Sequence, residues 1–196
     1  MTEFYEPNQA GALESFLSGW TPSALIVIGV ADGHEARWFA DHYPDVEIVG
    51  YEPSSIARRA AMDLGFPGRI VEAAAWHRAE PEAVLHGAAS LRMSTLIPRW
   101  KPSSDVAIET THCVTLDDGD WPGHDVVLWI DVQGAELEVL IGAHGLLESG
   151  AVRLINVETR PGWSADSVRE YLGRFGFTRA CIYRDKGEIR DEVYVR

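Results

Sequence analysis

Two carboxylates stand where apolar runs end, the place at which a strand delivers a side chain to a ligand. Leu128-Trp129-Ile130 leads into Asp131, and Leu154-Ile155-Asn156-Val157 leads into Glu158. An acid closing a central strand faces the crevice at the strand ends, so Asp131 is the candidate general base or hydroxyl anchor. Glu158 would stand beside it. Neighbouring carboxylates can share a proton or hold a hard divalent cation, so a metal stays an open alternative, although no spaced His/Asp cluster marks a metal site. Glu158 has an ordinary alternative as well, an ion pair with Arg153 or Arg160. His34, near the start of a helix, is the second candidate base, and a solvated surface histidine is the plainer reading of it. Glu136, three residues past Gln133, would complement a helix N-terminus.

A second group lies nearer the N-terminus. Gly29-Val30-Ala31-Asp32-Gly33 follows the apolar run Ala24 to Ile28 and precedes a helical pattern, with Ala36, Phe39, Ala40 and Tyr43 on one face. Glycines in a strand-to-helix turn allow tight turning and close approach of backbone to ligand. The helix start beyond offers unpaired N–H groups to an anionic ligand. Glu52 closes the next strand 23 residues after Gly29, where an acid can accept hydrogen bonds from ribose hydroxyls. Together these imply a nucleoside cofactor, a dinucleotide or S-adenosylmethionine. Ala31 stands where the dinucleotide fingerprint needs its second glycine, which favours the methyl donor.

These residues require a scaffold of alternating strands and helices. Strands are expected over 24–29, 46–51, 69–75, 107–116, 126–130 and 152–157. Helices are expected over 8–19, 32–43, from Pro53-Ser54 to Leu64, from about Gly134, and over 164–175. Residues 79–105, with Pro81, Pro98 and Pro102, read as loops and short turns. Its stretch 88–100, holding Arg92, Met93, Ser94, Thr95 and Trp100, is the expected acceptor wall. Residues 179–184 and 192–196 read as a closing hairpin. The pattern is α/β: a doubly wound, mostly parallel sheet with one antiparallel edge strand, in a single domain over 1–196.

Composition narrows the partners. The chain has 196 residues, 17 basic and 30 acidic, for a formal net charge of -13. Such a charge repels phosphate backbones, so a nucleic-acid partner is not expected. No apolar run approaches the ~20 residues of a membrane span, and the first residues carry Glu3 and Glu6 rather than a basic start and apolar core. The expectation is a cytoplasmic protein with Cys113 and Cys181 reduced. Nothing in the patterning specifies an oligomer.

Ile130-Asp131-Val132-Gln133-Gly134-Ala135-Glu136 resembles the I-D-V-E-G-A-E motif of FkbM-type methyltransferases. Other landmarks follow in order: the glycine turn at Gly29 to Gly33 (D-x-G-A-N-x-G in the family), Glu52-Pro53 for its E-P, Thr115-Leu116-Asp117 for its T-L-D, and Asn156-Val157-Glu158 for its Glu-terminated strand. The resemblance covers residues 24–196. It implies a seven-stranded Rossmann-like methyltransferase sheet, S-adenosylmethionine as methyl donor, and O-methylation of a hydroxyl on a small molecule, sugar or natural product. By the same resemblance Gly29, Val30, Ala31, Asp32 and Gly33 would line the methionine end of the cofactor. Glu52 and Pro53 would lie at the ribose, Ala75 and Trp76 near the adenine, and Asp131 beside the donor. Two departures from the family stand out. Val27 replaces the acid that opens the glycine motif, and Gln133 replaces the usual Glu. The alternatives are an inactive relative that kept the scaffold as a binding protein, and a small NAD(P)-dependent oxidoreductase.

Overall fold

The computed structural model describes residues 13–88, 94–97 and 106–196, without the side chains of 87, 88, 106–108 and 183. Strands β1 (Ala24–Ile28) and β7 (Val126–Ile130) lie at its centre, and every residue of both is buried. A strand covered on both faces has no solvated side, so both read as continuous apolar runs. Ala24, Ile26 and Ile28 face one core layer. Leu25 and Val27 face the other, with Leu13 and Leu17 from the helical residues 13–17. The part of the expected N-terminal helix before Leu13 lies outside the described residues.

Strand β2 (Glu47–Tyr51) pairs parallel with β1, and β3 (Arg69–Val71) with β2. On the other side β7 pairs parallel with β1, and β8 (Val152–Thr159) with β7. The hairpin of β9 (Thr178–Asp185) and β10 (Arg190–Val195) completes the order β3-β2-β1-β7-β8-β10-β9. β10 is the antiparallel strand, inserted between β8 and β9 one place in from the edge. The seven-stranded α/β sheet is the expected one. Its winding reverses between β1 and β7, and there the strand ends part to leave a crevice.

Among the described residues five helices connect these strands: α1 (His34–His42), α2 (Ser55–Asp63), the short pair α3 (Glu136–Ile141) and α4 (His144–Glu148), and α5 (Ala165–Gly173). α1 packs Ala36, Trp38 and Phe39 against the Leu25/Val27 face. α5 packs Val168 and Leu172 against the other.

The segment expected to be irregular is not. Three strands, β4 (Ala74–Ala75), β5 (Glu80–Ala88) and β6 (Val106–Val114), form a second sheet in the order β4-β6-β5. The third expected strand, 69–75, therefore splits, its first half in the main sheet and its second in the small one. Pro81 argues against a strand only where its N–H is needed. The β5–β6 register shifts between Glu80 and Ala83, and Pro81 falls within that irregularity. The strand expected at 107–116 exists, but in the small sheet.

Gly29, directly after β1, has φ +85°, and a Cβ there would lie 2.0 Å from the Asp131 carbonyl oxygen. Gly187, in the β9–β10 turn, also has a left-handed φ (+79°), but a Cβ there would meet nothing within 4 Å. Gly187→Ala should therefore cost only the ~1–2 kcal/mol of a left-handed alanine. Gly29→Ala adds a backbone clash at the sheet centre, and should cost at least ~3 kcal/mol. Urea denaturation of the two variants checks the contrast; equal losses would mean that β7 yields freely at Asp131.

Candidate active site

The crevice above β1 and β7 is an open cleft with about 1070 Å³ of empty space. Most of the expected residues are on its wall: Gly29, Ala31, Asp32, His34, Glu52, Pro53, Ala75, Trp76 and Asp131. Val30, Gly33 and Glu158 are not on that wall. Val30 is buried in the α1-side core, and Gly33 is the N-cap of α1. Ala31 has φ 48°, a conformation that suits the Asn of the family motif better than an alanine.

Glu52 ends β2 almost fully buried, 5% exposed. Its Oε2 accepts the N–H groups of Val30 (3.0 Å) and Ala31 (3.3 Å), and its Oε1 accepts that of Ser54 (2.9 Å). Burial raises its pKa, and these three N–H groups oppose the rise. The acid thus ties the glycine turn to β2. A carboxylate oxygen has two acceptor positions, and Oε1 takes only one backbone N–H, so Glu52 fits one ribose hydroxyl rather than a pair. Ala75 and Trp76 are brought to the rim by β4, where they form an apolar stretch of the wall.

Asp131 follows β7 and donates its N–H to the Ile28 carbonyl at 2.9 Å. Its Oδ1 accepts from the Gln133 side-chain amide at 2.9 Å, and the same nitrogen lies 3.3 Å from Glu158 Oε1. Arg160 Nη2 donates to Gln133 Oε1 at 3.2 Å, which fixes the amide's sense. The space between Asp131 and Glu158 is thus spanned by an N–H donor group. A cation bound between the two acids would meet that donor, so these residues do not fit a metal there. No group of three or more His, Cys, Asp or Glu among the described residues is arranged to hold a metal ion.

Glu158 is 4% exposed and lies behind Asp131. Arg184 pairs with it at 3.0 Å and Arg160 stands at 3.7 Å. Of the two ion-pair partners expected for it, the structure supplies Arg160 and not Arg153, which pairs with Asp125. Burial and the charges of Asp131 and Asp191 push its pKa well up, against the pull of Arg184. His34 is clasped between two acids: Nδ1 is 3.0 Å from Asp32 Oδ1 and Nε2 is 3.3 Å from Glu35 Oε1. Its ring would have to leave one of them to act as a base.

Ser94 and Thr95 of the expected acceptor wall do line the cleft, with Leu85 and Leu96. Thr95 exchanges both backbone hydrogen bonds with His86 of β5, and its hydroxyl donates to the Gln133 carbonyl at 3.2 Å. Arg92, Met93 and Trp100 lie outside the described residues. The sequence reading missed Glu35, Trp129, Arg184 and Asp191, all on the wall. Glu35 lies in the first turn of α1, where an acid is ordinary, and the hairpin pair Arg184–Asp191, 2.6 Å apart, comes from strands with no ligand motif.

The sheet order and the placement of the cleft are those of class I, S-adenosylmethionine-dependent methyltransferases. The family model "Methyltransferase FkbM domain" matches residues 45–184, and the chain belongs to that family. Solved structures agree on the fold. A precorrin-6y C5,15-methyltransferase from Geobacter metallireducens is 12% identical with a TM-score of 0.56, over 98% of this chain and 91% of that one. A ribosomal protein L11 methylase from Lactobacillus delbrueckii is 12% identical with a TM-score of 0.54, over 96% and 77%. A SAM-dependent methyltransferase from Aquifex aeolicus is 8% identical with a TM-score of 0.51, over 96% and 93%. No curated protein matches by sequence. The family match sets aside the oxidoreductase reading. No helix among the described residues is long and apolar enough to cross a membrane.

Two buried acids yield tests. Glu52→Ala removes the turn's tether and, with it, the expected ribose acceptor. It should weaken S-adenosylhomocysteine binding by about a hundredfold by calorimetry and lower the melting temperature. Glu52→Gln, which keeps one acceptor oxygen, should lose less of each. Glu136, 1% exposed, accepts the Gly134 N–H at 2.7 Å, and burial raises its pKa to about 7. An acid whose folded pKa is raised loses stability as pH climbs from the unfolded value through the folded one. Glu136→Gln, neutral throughout, should match the wild type near pH 4 and exceed it near pH 8 by on the order of 1–3 kcal/mol. Urea titrations at both pH values check this; a gain that does not depend on pH would show that Glu136 is ionised in the fold.

Proposed function

We propose that the methyl acceptor is a hydroxyl on a small molecule or sugar, and that Asp131 is the general base. The supporting observation is Asp131 itself, on the cleft wall beside the glycine turn, with its carboxylate held in orientation by Gln133. Bound S-adenosylmethionine supplies a sulfonium methyl, which ends on the acceptor oxygen as the carbon–sulfur bond breaks, leaving S-adenosylhomocysteine. Asp131 takes the hydroxyl proton as the carbon–oxygen bond forms. Glu158 acts behind it: with Arg184 and Arg160 it fixes Gln133, and Gln133 fixes Asp131. Holding oxygen and methyl in line supplies much of the remaining acceleration.

The charge of the wall supports a neutral acceptor. Asp32, Glu35, Glu52, Asp131 and Asp191 line the cleft against Arg184 and His34. An excess of carboxylates repels phosphate and carboxylate groups, which disfavours nucleic acids and acidic metabolites. Ser94 and Thr95 beside Leu85 and Leu96 suit a polyol with one apolar face. Asp131→Asn keeps the acceptor oxygen that receives the Gln133 amide, so fold and cofactor affinity should persist while methyl transfer falls about a hundredfold or more. Single-turnover rates with an acceptor found by screening hydroxylated compounds, alongside calorimetry with S-adenosylhomocysteine, check this. Near-normal turnover would move the base to His34 or Glu158.

A further inference from the structure

Val27 stands two residues before Gly29, where the family motif carries an acid. Its side chain is fully buried in the layer between the sheet and α1, with Leu25, Phe39 and Trp129. The cleft therefore has no carboxylate from β1. It has one from the same side of the sheet by another route. Glu35, in the first turn of α1, lines the cleft beside Trp129 and Asp131, its side chain only 14% exposed. His34 Nε2 is its cationic-capable neighbour at 3.3 Å. Asp32 and Asp131 face it with like charge. An acid held in a dry wall next to two other acids is unfavourable for the protein alone. A cation placed against it would relieve that cost.

We propose that Glu35 receives the α-ammonium group of S-adenosylmethionine, so that in this chain the acid for the cofactor's amino-acid end comes from α1 instead of β1. The inference rests on the methyl-donor assignment of the cleft. The glycine turn and Glu52 place the nucleoside part at β2, so the amino-acid end points across Gly29 toward Asp131 and the start of α1. At the start of α1, Glu35 is less exposed than Asp32 (side chains 14% and 23% exposed), and its neighbour is the adjacent His34 rather than a second strand of the sheet. Its pKa, raised to about 7 chiefly by burial, means that a bound ammonium group would convert a partly protonated acid to its ionised form.

Calorimetry with two ligands tests this. S-adenosylhomocysteine carries the amino-acid end, and 5′-methylthioadenosine lacks it. Glu35→Gln should weaken S-adenosylhomocysteine about tenfold to a hundredfold, the worth of one charge-assisted hydrogen bond, and leave 5′-methylthioadenosine within about twofold. Glu35→Asp should recover part of the loss. At pH 7, titrations in buffers of different ionisation enthalpy should show the wild type releasing a fraction of a proton on binding S-adenosylhomocysteine, with the release reduced in Glu35→Gln, where His34, Asp32 and Asp131 are unchanged. Equal weakening of both ligands would make Glu35 structural and overturn the proposal, as would unchanged affinity for both. Wild type that binds neither ligand would instead overturn the methyl-donor assignment itself.

Discussion

Ile28 accepts the Asp131 N–H at 2.9 Å, and the next residue, Gly29, has the Asp131 carbonyl where a Cβ would stand. This close approach of two backbones at the reversal of winding positions the rest of the cleft. Because Gly29 admits the chain after β7, Asp131 emerges level with the glycine turn rather than above it. Because the turn leaves β1 with a left-handed residue, its N–H groups at Val30 and Ala31 swing toward β2, where Glu52 collects them. Three strands are thus fastened at one end by main-chain contacts and one buried carboxylate. Such a floor does not depend on surface ion pairs, which contribute little and weaken with salt.

Charge is the second constraint. Asp131, Glu136, Glu158 and Asp191 gather at the ends of β7, β8 and β10, and burying several ionised acids together is costly. Two arginines and one amide manage it. Arg184 spans Glu158 and Asp191, Arg160 approaches Glu158 and holds the Gln133 oxygen, Gln133 donates to Asp131 and Glu158, and Glu136 accepts the Gly134 N–H. A Glu at 133, as the family motif has it, would add a negative charge between Asp131 and Glu158 and lose the donor. Gln133 is therefore better understood as part of this chain's polar network than as a weakened copy of the motif.

The apolar runs of β1 and β7 and the acids that follow them were legible because a two-sided buried strand has an unambiguous pattern and ends at a fixed place. Glu52 was legible for the same reason, although its grip on the glycine turn was not, since hydrogen bonds to backbone leave no trace in residue type. The small sheet was hidden by Pro81: the proline rule holds for a regular ladder, and β5 has a register shift there. Arg184 was obscure because the hairpin's alternation explains it as a surface residue, whereas the sheet order brings β9 and β10 to the cleft edge. Glu35 carries no signal because an acid in a helix's first turn is ordinary, and only the packing of α1 on β1 brings it to the cleft.

The family match begins at residue 45, past the glycine turn, and that boundary has a physical sense. Before it the chain departs from the motif at Val27 and at Ala31, whose φ of 48° an asparagine would bear more easily. After it the E-P, T-L-D and D-V-x-G-A-E positions hold. What the fold must keep at the turn is the backbone path, and Gly29 with Glu52 secures that regardless of the side chain at 27. The negative charge beside the turn is a separate requirement, set by the ligand's cationic amino-acid end. It can be met by any element whose residues reach the same wall, so strand β1 is free to become wholly apolar once α1 carries the acid.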